Sequence, residues 1–89
     1  MSLCGEIDLR NSPAIRKELL ARLADRQDVM VDLSAVDYID SSGIASLVEA
    51  YQTARRHGRR FSLTAVSPAA LRGLKLARLD EIFVIHDAG

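Results

Sequence analysis

The hydrophobic pattern changes period several times along the chain, and each change marks an element. Between Ser12 and Ala24 the apolar residues Ile15, Leu19 and Leu23 recur at four-residue steps, with Leu20 widening the stripe. That is one face of an amphipathic helix. Ser12 suits its N-cap and Pro13 its first position. Glu18 and Arg22 form a favourable pair on the outer face, and the helix is predicted to end near Ala24. Asp28 to Leu33, DVMVDL, is a nearly unbroken apolar run, the pattern of a strand buried on both faces. SAVDYID after it reads as loop or irregular strand. A second helix is predicted from about Ser42 to Arg56, with the stripe Ile44, Leu47, Val48 and Tyr51. Arg55, Arg56 and His57 meet the negative end of its dipole, and Gly58 is the expected stop.

In RRFSLTAV, Phe61, Leu63 and Ala65 alternate with Arg60, Ser62 and Thr64, so this strand has one more exposed face. Ser67-Pro68 repeats the cap-and-proline device. The third helix, about Pro68 to Ala77, is predicted to bury Leu71 and Leu74, with Ala70 or Ala77 beside them. Gly73 weakens it modestly. Ile82 to Ile85 is a last short strand, and Ser2 to Cys4 a first one that ends in a bend at Gly5. Strands alternating with helices define an α/β fold. We expect a mainly parallel sheet of four or more strands, three or more helices and right-handed crossovers. Periodicity leaves open whether the helices share one face.

Composition narrows this picture. With 89 residues and a hydrophobic fraction of 48%, the expectation is one domain over 1–89 with one core. Twelve basic and 12 acidic side chains give a formal net charge of +0. No basic excess therefore favours direct binding to nucleic acid or an anionic membrane, although a local patch stays open. The single cysteine, Cys4, allows no intrachain disulfide and fits a reducing compartment. No apolar run approaches the roughly 20 residues of a membrane-spanning helix, and no signal-peptide pattern opens the chain. The expected location is cytoplasmic, without membrane insertion.

The stretch with candidate chemistry is Asp40-Ser41-Ser42-Gly43, at the start of the second helix. One reading is structural: Ser41 or Ser42 caps the helix, Asp40 complements its dipole, and Gly43 permits a tight entry. The other is functional. A serine at this point is lifted to the C-terminal edge of the sheet, where open α/β sheets place their sites. A phosphate on Ser41 adds about −1.5 to −2 charges beside Asp40, enough to expel a docked partner or recruit another. Gly43 then allows a partner's backbone to approach.

Catalytic readings are less well supported. Asp32, Asp37 and Asp40 suggest a magnesium site of the receiver-domain type, but no lysine stands on the last strand; as turn and strand-end residues they need no metal. His57 and His86 lack the Gly-x-Ser-x-Gly context of a serine hydrolase. There is no Gly-rich phosphate loop, and no cation near Cys4 in sequence activates its thiol. No catalytic residue, metal or cofactor is expected.

Taken together, these segments resemble the STAS domain of bacterial anti-sigma factor antagonists. GEIDL, Gly5 to Leu9, is similar to the family's early turn. VMVDLSAVDYIDSSGIASLVEAY resembles its central strand and serine helix, and TARRHG its basic helix end. RRFSLTAVSPAALRGLKLARLDEIF is similar to the strand, Ser-Pro helix and Ile-Phe ending that follow. The resemblance implies a protein that binds an anti-sigma factor which is also a serine kinase. Phosphorylation releases it and a phosphatase restores it. The implied acceptor is Ser41, with Asp40, Ser42, Gly43 and Ile44 shaping the docking edge and Gly5, Glu6 and Asp8 on the early loop nearby. The kinase would supply ATP and magnesium.

Family members usually have a further strand before GEID and often a helix after the last strand; both are expected to be short or missing here. The exposed sheet edge that results invites pairing, so a homodimer is one expectation. A rival reading within the same fold is a STAS subunit of a bacterial phospholipid-trafficking ABC transporter. Those subunits often carry Asp-Thr-Gly-Gly at the helix start, and the two consecutive serines favour the phosphorylation switch.

Overall fold

Seven elements alternate in a computed structural model, which describes residues 1–86. They are β1 (Ser2–Ile7), α1 (Ser12–Ala24), β2 (Val29–Ile39), α2 (Ser41–Arg56), β3 (Phe61–Thr64), α3 (Pro68–Leu76) and β4 (Val84–His86). The four strands form one parallel sheet in the order β1-β2-β3-β4. Spatial order thus equals chain order. Right-handed crossovers that always advance in one direction put every helix on the same side. One core cluster accordingly joins Leu19 and Leu23 of α1, Leu47 and Ala50 of α2, and Ala70 and Leu74 of α3 to Val31 and Leu33 of β2 and Leu63 of β3.

That arrangement corrects the reading of β2 as buried on both faces. Val29, Val31 and Leu33 face the helices, whereas Met30 is 50% exposed on the open face. The strand also runs on through the segment read as loop. Between Ser2↔Asp32 and Cys4↔Ala35, and again between Gly5↔Val36 and Glu6↔Tyr38, β2 holds one residue more than β1. These two bulges change the burial step from two to three, through Leu33, Val36 and Ile39, which hides the strand from an alternation test. Gly5 does not end β1. It lies within the strand at the second register shift, at φ +71°, a conformation that costs glycine little.

Other boundaries moved by a residue or two. Asn11, not Ser12, is the N-cap of α1 and makes no side-chain cap bond; Ser12 is the first helical residue. β3 stops at Thr64, because Ala65 turns to φ +52°. Leu71 and Ala77 stay out of the core, and α3 buries Ala70 and Leu74. The predicted Ser67 cap forms: its hydroxyl accepts from Ala70 N–H at 3.1 Å and donates to Val36 C=O at 2.7 Å, tying α3 to β2. Glu18 and Arg22 pair at 3.0 Å. The last strand starts at Val84, two residues later than read from the sequence; in the turn before it Phe83 fills the core beside Phe61 and Tyr51, while Ile82 is exposed. Among the described residues β1 and β4 are the sheet's edges, and Cys4 is exposed on β1. The expected lack of a C-terminal helix concerns positions outside the described residues.

Candidate functional site

β1 and β2 end side by side. Ile7 pairs with Ile39, and the Asp40 N–H donates to Ile7 C=O at 3.0 Å. Asp8 and Asp40 therefore emerge together at the C-terminal edge of the sheet. Asp40 is the only residue between the end of β2 and the start of α2, and its backbone is still extended.

The cap of α2 is Asp40, not either serine. Its Oδ1 accepts from the N–H of Ser42 at 2.9 Å, the N–H of Gly43 at 3.1 Å and the hydroxyl of Ser42 at 2.6 Å. These bonds hold the Asp40 carboxyl below the usual carboxylate range: the Ser42 hydroxyl contributes most, then the Gly43 N–H, and they outweigh the repulsion of Asp8. Behind Ser42 lies a serine network that sequence reasoning missed. Ser12 Oγ donates to Ser42 Oγ at 3.1 Å, and Ser46 Oγ donates to Ser42 C=O at 3.0 Å. Ser12 and Ser46 are buried. No local pattern announces a contact between residues 30 positions apart.

The two adjacent serines thus differ completely. The Ser42 hydroxyl is engaged on both sides and half-buried. Ser41 is exposed, and its hydroxyl has no hydrogen-bond partner among the described residues. Gly43 is buried. A Cβ there would stand 2.7 Å from Ile7 Cγ2 and 2.8 Å from Ile39 Cγ1, so its bareness lets α2 settle onto the strand ends. Gly73 of α3 meets Ile39 in the same way, at 2.9 Å from Cγ2. Ile44 is buried below Ser41.

Of the early segment, Asp8 borders Asp40. Arg10 forks onto the Asp8 carboxylate, with Nη2 at 2.7 Å and Nε at 3.1 Å, and reaches Glu6 at 3.5 Å. The Arg10 side chain is the main reason that the Asp8 carboxyl lies below its ordinary value. Gly5 pairs with Val36, short of the edge. The acids Asp32, Asp37 and Asp40 do not converge. Asp32 accepts from Ser34 N–H at 2.8 Å within β2, and among the described residues no group of His, Cys, Asp and Glu is placed to hold a metal. His57 is the C-cap residue of α2, and His86 lies on β4.

The site thus sits on a small α/β domain: a parallel sheet with helices on one face, whose C-terminal edge presents an unengaged serine on a capped helix start. The chain belongs to the STAS domain family: residues 1–85 match the family model described as "Mlab, STAS domain". It is 26% identical over 85 residues to the anti-sigma-B factor antagonist of Bacillus subtilis (strain 168), covering 96% of this chain and 78% of that protein. Its fold is similar to that of an anti-sigma factor antagonist from Mycobacterium paratuberculosis, with TM-score 0.84 and 32% identity, covering 96% of this chain and 73% of that one. The anti-sigma factor antagonist SpoIIAA in its unphosphorylated form shares the fold at TM-score 0.84 and 19% identity, over 99% of this chain and 76% of its own. No helix of the described residues is long and apolar enough to cross a membrane.

Proposed function

We propose that this chain is a cytoplasmic, non-enzymatic anti-sigma factor antagonist that binds an anti-sigma factor with serine kinase activity, and that phosphorylation of Ser41 switches the binding off. The observation that carries the reading is the division of labour at the start of α2. Asp40 takes the N–H groups of Ser42 and Gly43 together with the Ser42 hydroxyl, leaving Ser41 exposed and unengaged.

The same geometry supports a switch by charge. A phosphate would normally settle on the free N–H groups of a helix N-terminus, but here Asp40 already holds two of them. Arg10, the cation of the neighbouring loop, is forked onto Asp8. The added charge of about −1.5 to −2 therefore stays at the surface, next to two carboxylates, and opposes a partner packed on this edge. A phosphatase acting on the same exposed group resets the switch. The open β1 edge extends the reading to a homodimer, which sedimentation velocity tests directly: a single monomeric species at micromolar concentration rules it out.

The experiment is phosphopeptide mass spectrometry on protein from its native cells under several stresses, with Ser41→Ala and Ser41→Asp variants in parallel. Phosphate on Ser41 that varies with condition is expected, with partner binding kept by Ser41→Ala and weakened by Ser41→Asp. Unchanged phosphate incorporation in Ser41→Ala would falsify the assignment. A well-covered peptide that never carries phosphate, with recovery of an ATPase or permease as the bound partner, moves the function to the transporter subunit.

A further inference from the structure

The helical layer is unevenly filled. α2 packs along α1 but barely touches α3, and a groove of about 1020 Å³ opens between α2 and α3. Ile44, Val48 and Leu79 line its floor. Its rims carry Tyr38, 53% exposed, and Leu76, 81% exposed, the most exposed large apolar side chain among the described residues. Ser41, Ala45, Val48, Gln52 and Arg56 border it along α2, so the groove follows the whole helix, a span of about 22 Å at 1.5 Å per residue.

The surroundings specify the occupant. Floor and rims come largely from helices whose backbone groups are bonded internally. An extended peptide laid there would find no backbone partners and would leave its own N–H and C=O groups unpaired against apolar side chains. A helix satisfies its own backbone and presents an apolar stripe. Among the described residues α1 of a second copy is no such helix: its apolar stripe is in its own core and its exposed face carries Arg16, Lys17 and Arg22. Charge sets the direction. Arg56 closes one end and has no ion pair among the described residues, only a bond from Nη2 to Thr53 Oγ1 at 3.1 Å. It complements a carboxylate in the first turn of an incoming helix. At the other end the Ser41 hydroxyl is an unengaged donor, suited to the unsatisfied carbonyls of a helix C-terminus.

We propose that the α2–α3 groove receives an amphipathic helix of the anti-sigma factor, antiparallel to α2, with a carboxylate on Arg56 and its C-terminal carbonyls over Ser41. This rests on the antagonist reading above and deepens it. It also gives phosphorylation a direct consequence. The phosphate replaces a donor with an anion, under the negative end of the docked helix dipole.

The test places the photo-crosslinking residue p-benzoylphenylalanine at Leu76 or at Leu9 in the full chain, in native cells, and identifies crosslinked peptides by mass spectrometry. Leu9 is 75% exposed and lies in the β1–α1 loop, at the C-terminal end of β1 but outside the groove. Neither replacement reaches the core, and thermal unfolding checks this. We expect the Leu76 position to crosslink an amphipathic helical segment of an anti-sigma factor. Arg56→Glu and Ser41→Asp should each cut the yield about tenfold, the effect of losing one well-placed interface group. Crosslinks to an anti-sigma factor from Leu9 but none from Leu76 overturn the groove and leave the antagonist reading standing. Crosslinks from Leu76 to a second copy of this chain also overturn the groove. An ATPase, a permease or no anti-sigma factor at either position overturns both.

Discussion

Replacing Gly43 with alanine tests whether the site is built as described, because a single methyl group separates two opposed effects. Alanine in a helix is favoured over glycine by up to about 1 kcal/mol, so on propensity alone the variant should gain stability. The packing argues the other way. The new Cβ would lie 2.7 Å from Ile7 Cγ2, and 2.8 Å and 3.2 Å from Ile39 Cγ1 and Cδ1, well inside the roughly 3.5–4.0 Å optimum for carbon–carbon contact. Ile7 and Ile39 are neighbours in the β1–β2 register and both are buried, so neither can swing into solvent. Forcing a methyl group into such a site costs about 1–3 kcal/mol. Set against that gain, the net expectation lies between no change and a destabilisation of about 2 kcal/mol, and at about 4–8 °C per kcal/mol for a domain of this size a fall in Tm of up to roughly 15 °C. Far-UV circular dichroism during heating and urea unfolding reads this directly, with the urea m-value unchanged. Gly73→Ala is the internal comparison: it has one contact below 3.0 Å, at 2.9 Å from Ile39 Cγ2, where Gly43 has two closer ones, and should lie within about 1 kcal/mol of wild type. Combining Gly43→Ala with Ile7→Ala should cost less than the sum of the two, by about 0.5–3 kcal/mol. A Gly43→Ala protein more stable than wild type would show that α2 does not rest on the strand ends.

Three further outcomes are expected. Ser41→Ala should leave Tm within about 2 °C of wild type, because its hydroxyl has no partner, whereas Ser42→Ala should cost about 1–2 kcal/mol through its bonds to Asp40 and Ser12; equal effects would contradict the assigned roles. Ser67→Ala should cost about 2–3 kcal/mol in urea unfolding, since it uncaps α3 and strips the buried Val36 carbonyl of its donor; a cost below about 0.5 kcal/mol would reject that account. Asp8, Asp32, Asp40 and Glu49 all have folded-state carboxyls below their ordinary values, held there mainly by the side chains of Arg10, Ser34, Ser42 and Arg16. A depressed carboxyl contributes stability above its unfolded value, about 4, and loses it as pH falls through the lower folded value. Stability should therefore be level above about pH 5 and decline below about pH 4. Carbon-detected NMR titration should show the Asp40 carboxyl moving up in Ser42→Ala; an unmoved value would remove Ser42 as the main cause.

The sequence by itself determined the repeating order of strands and helices, and with it a parallel sheet. It also placed Asp40, Ser41 and Ser42 at the start of a helix on the sheet's C-terminal edge. Helix periodicity, Ser67-Pro68 and Gly58 are local signals, and the bonds that realise them span a few residues. What only the tertiary structure decided depended on contacts between distant segments. An apolar run such as VMVDL does not say how many of its faces are covered, and it took strand order to leave Met30 outside. The bulges of β2 exist only in register with β1, so Ser34 to Ile39 carried no strand period. Gly73 reads as a helix defect until Ile39 is seen beneath it. Most of all, two identical side chains at adjacent positions look interchangeable in the sequence. Their roles separated because about 100° of helix rotation per residue turns Ser42 toward Ser12 and Asp40, inside the fold, and leaves Ser41 facing solvent.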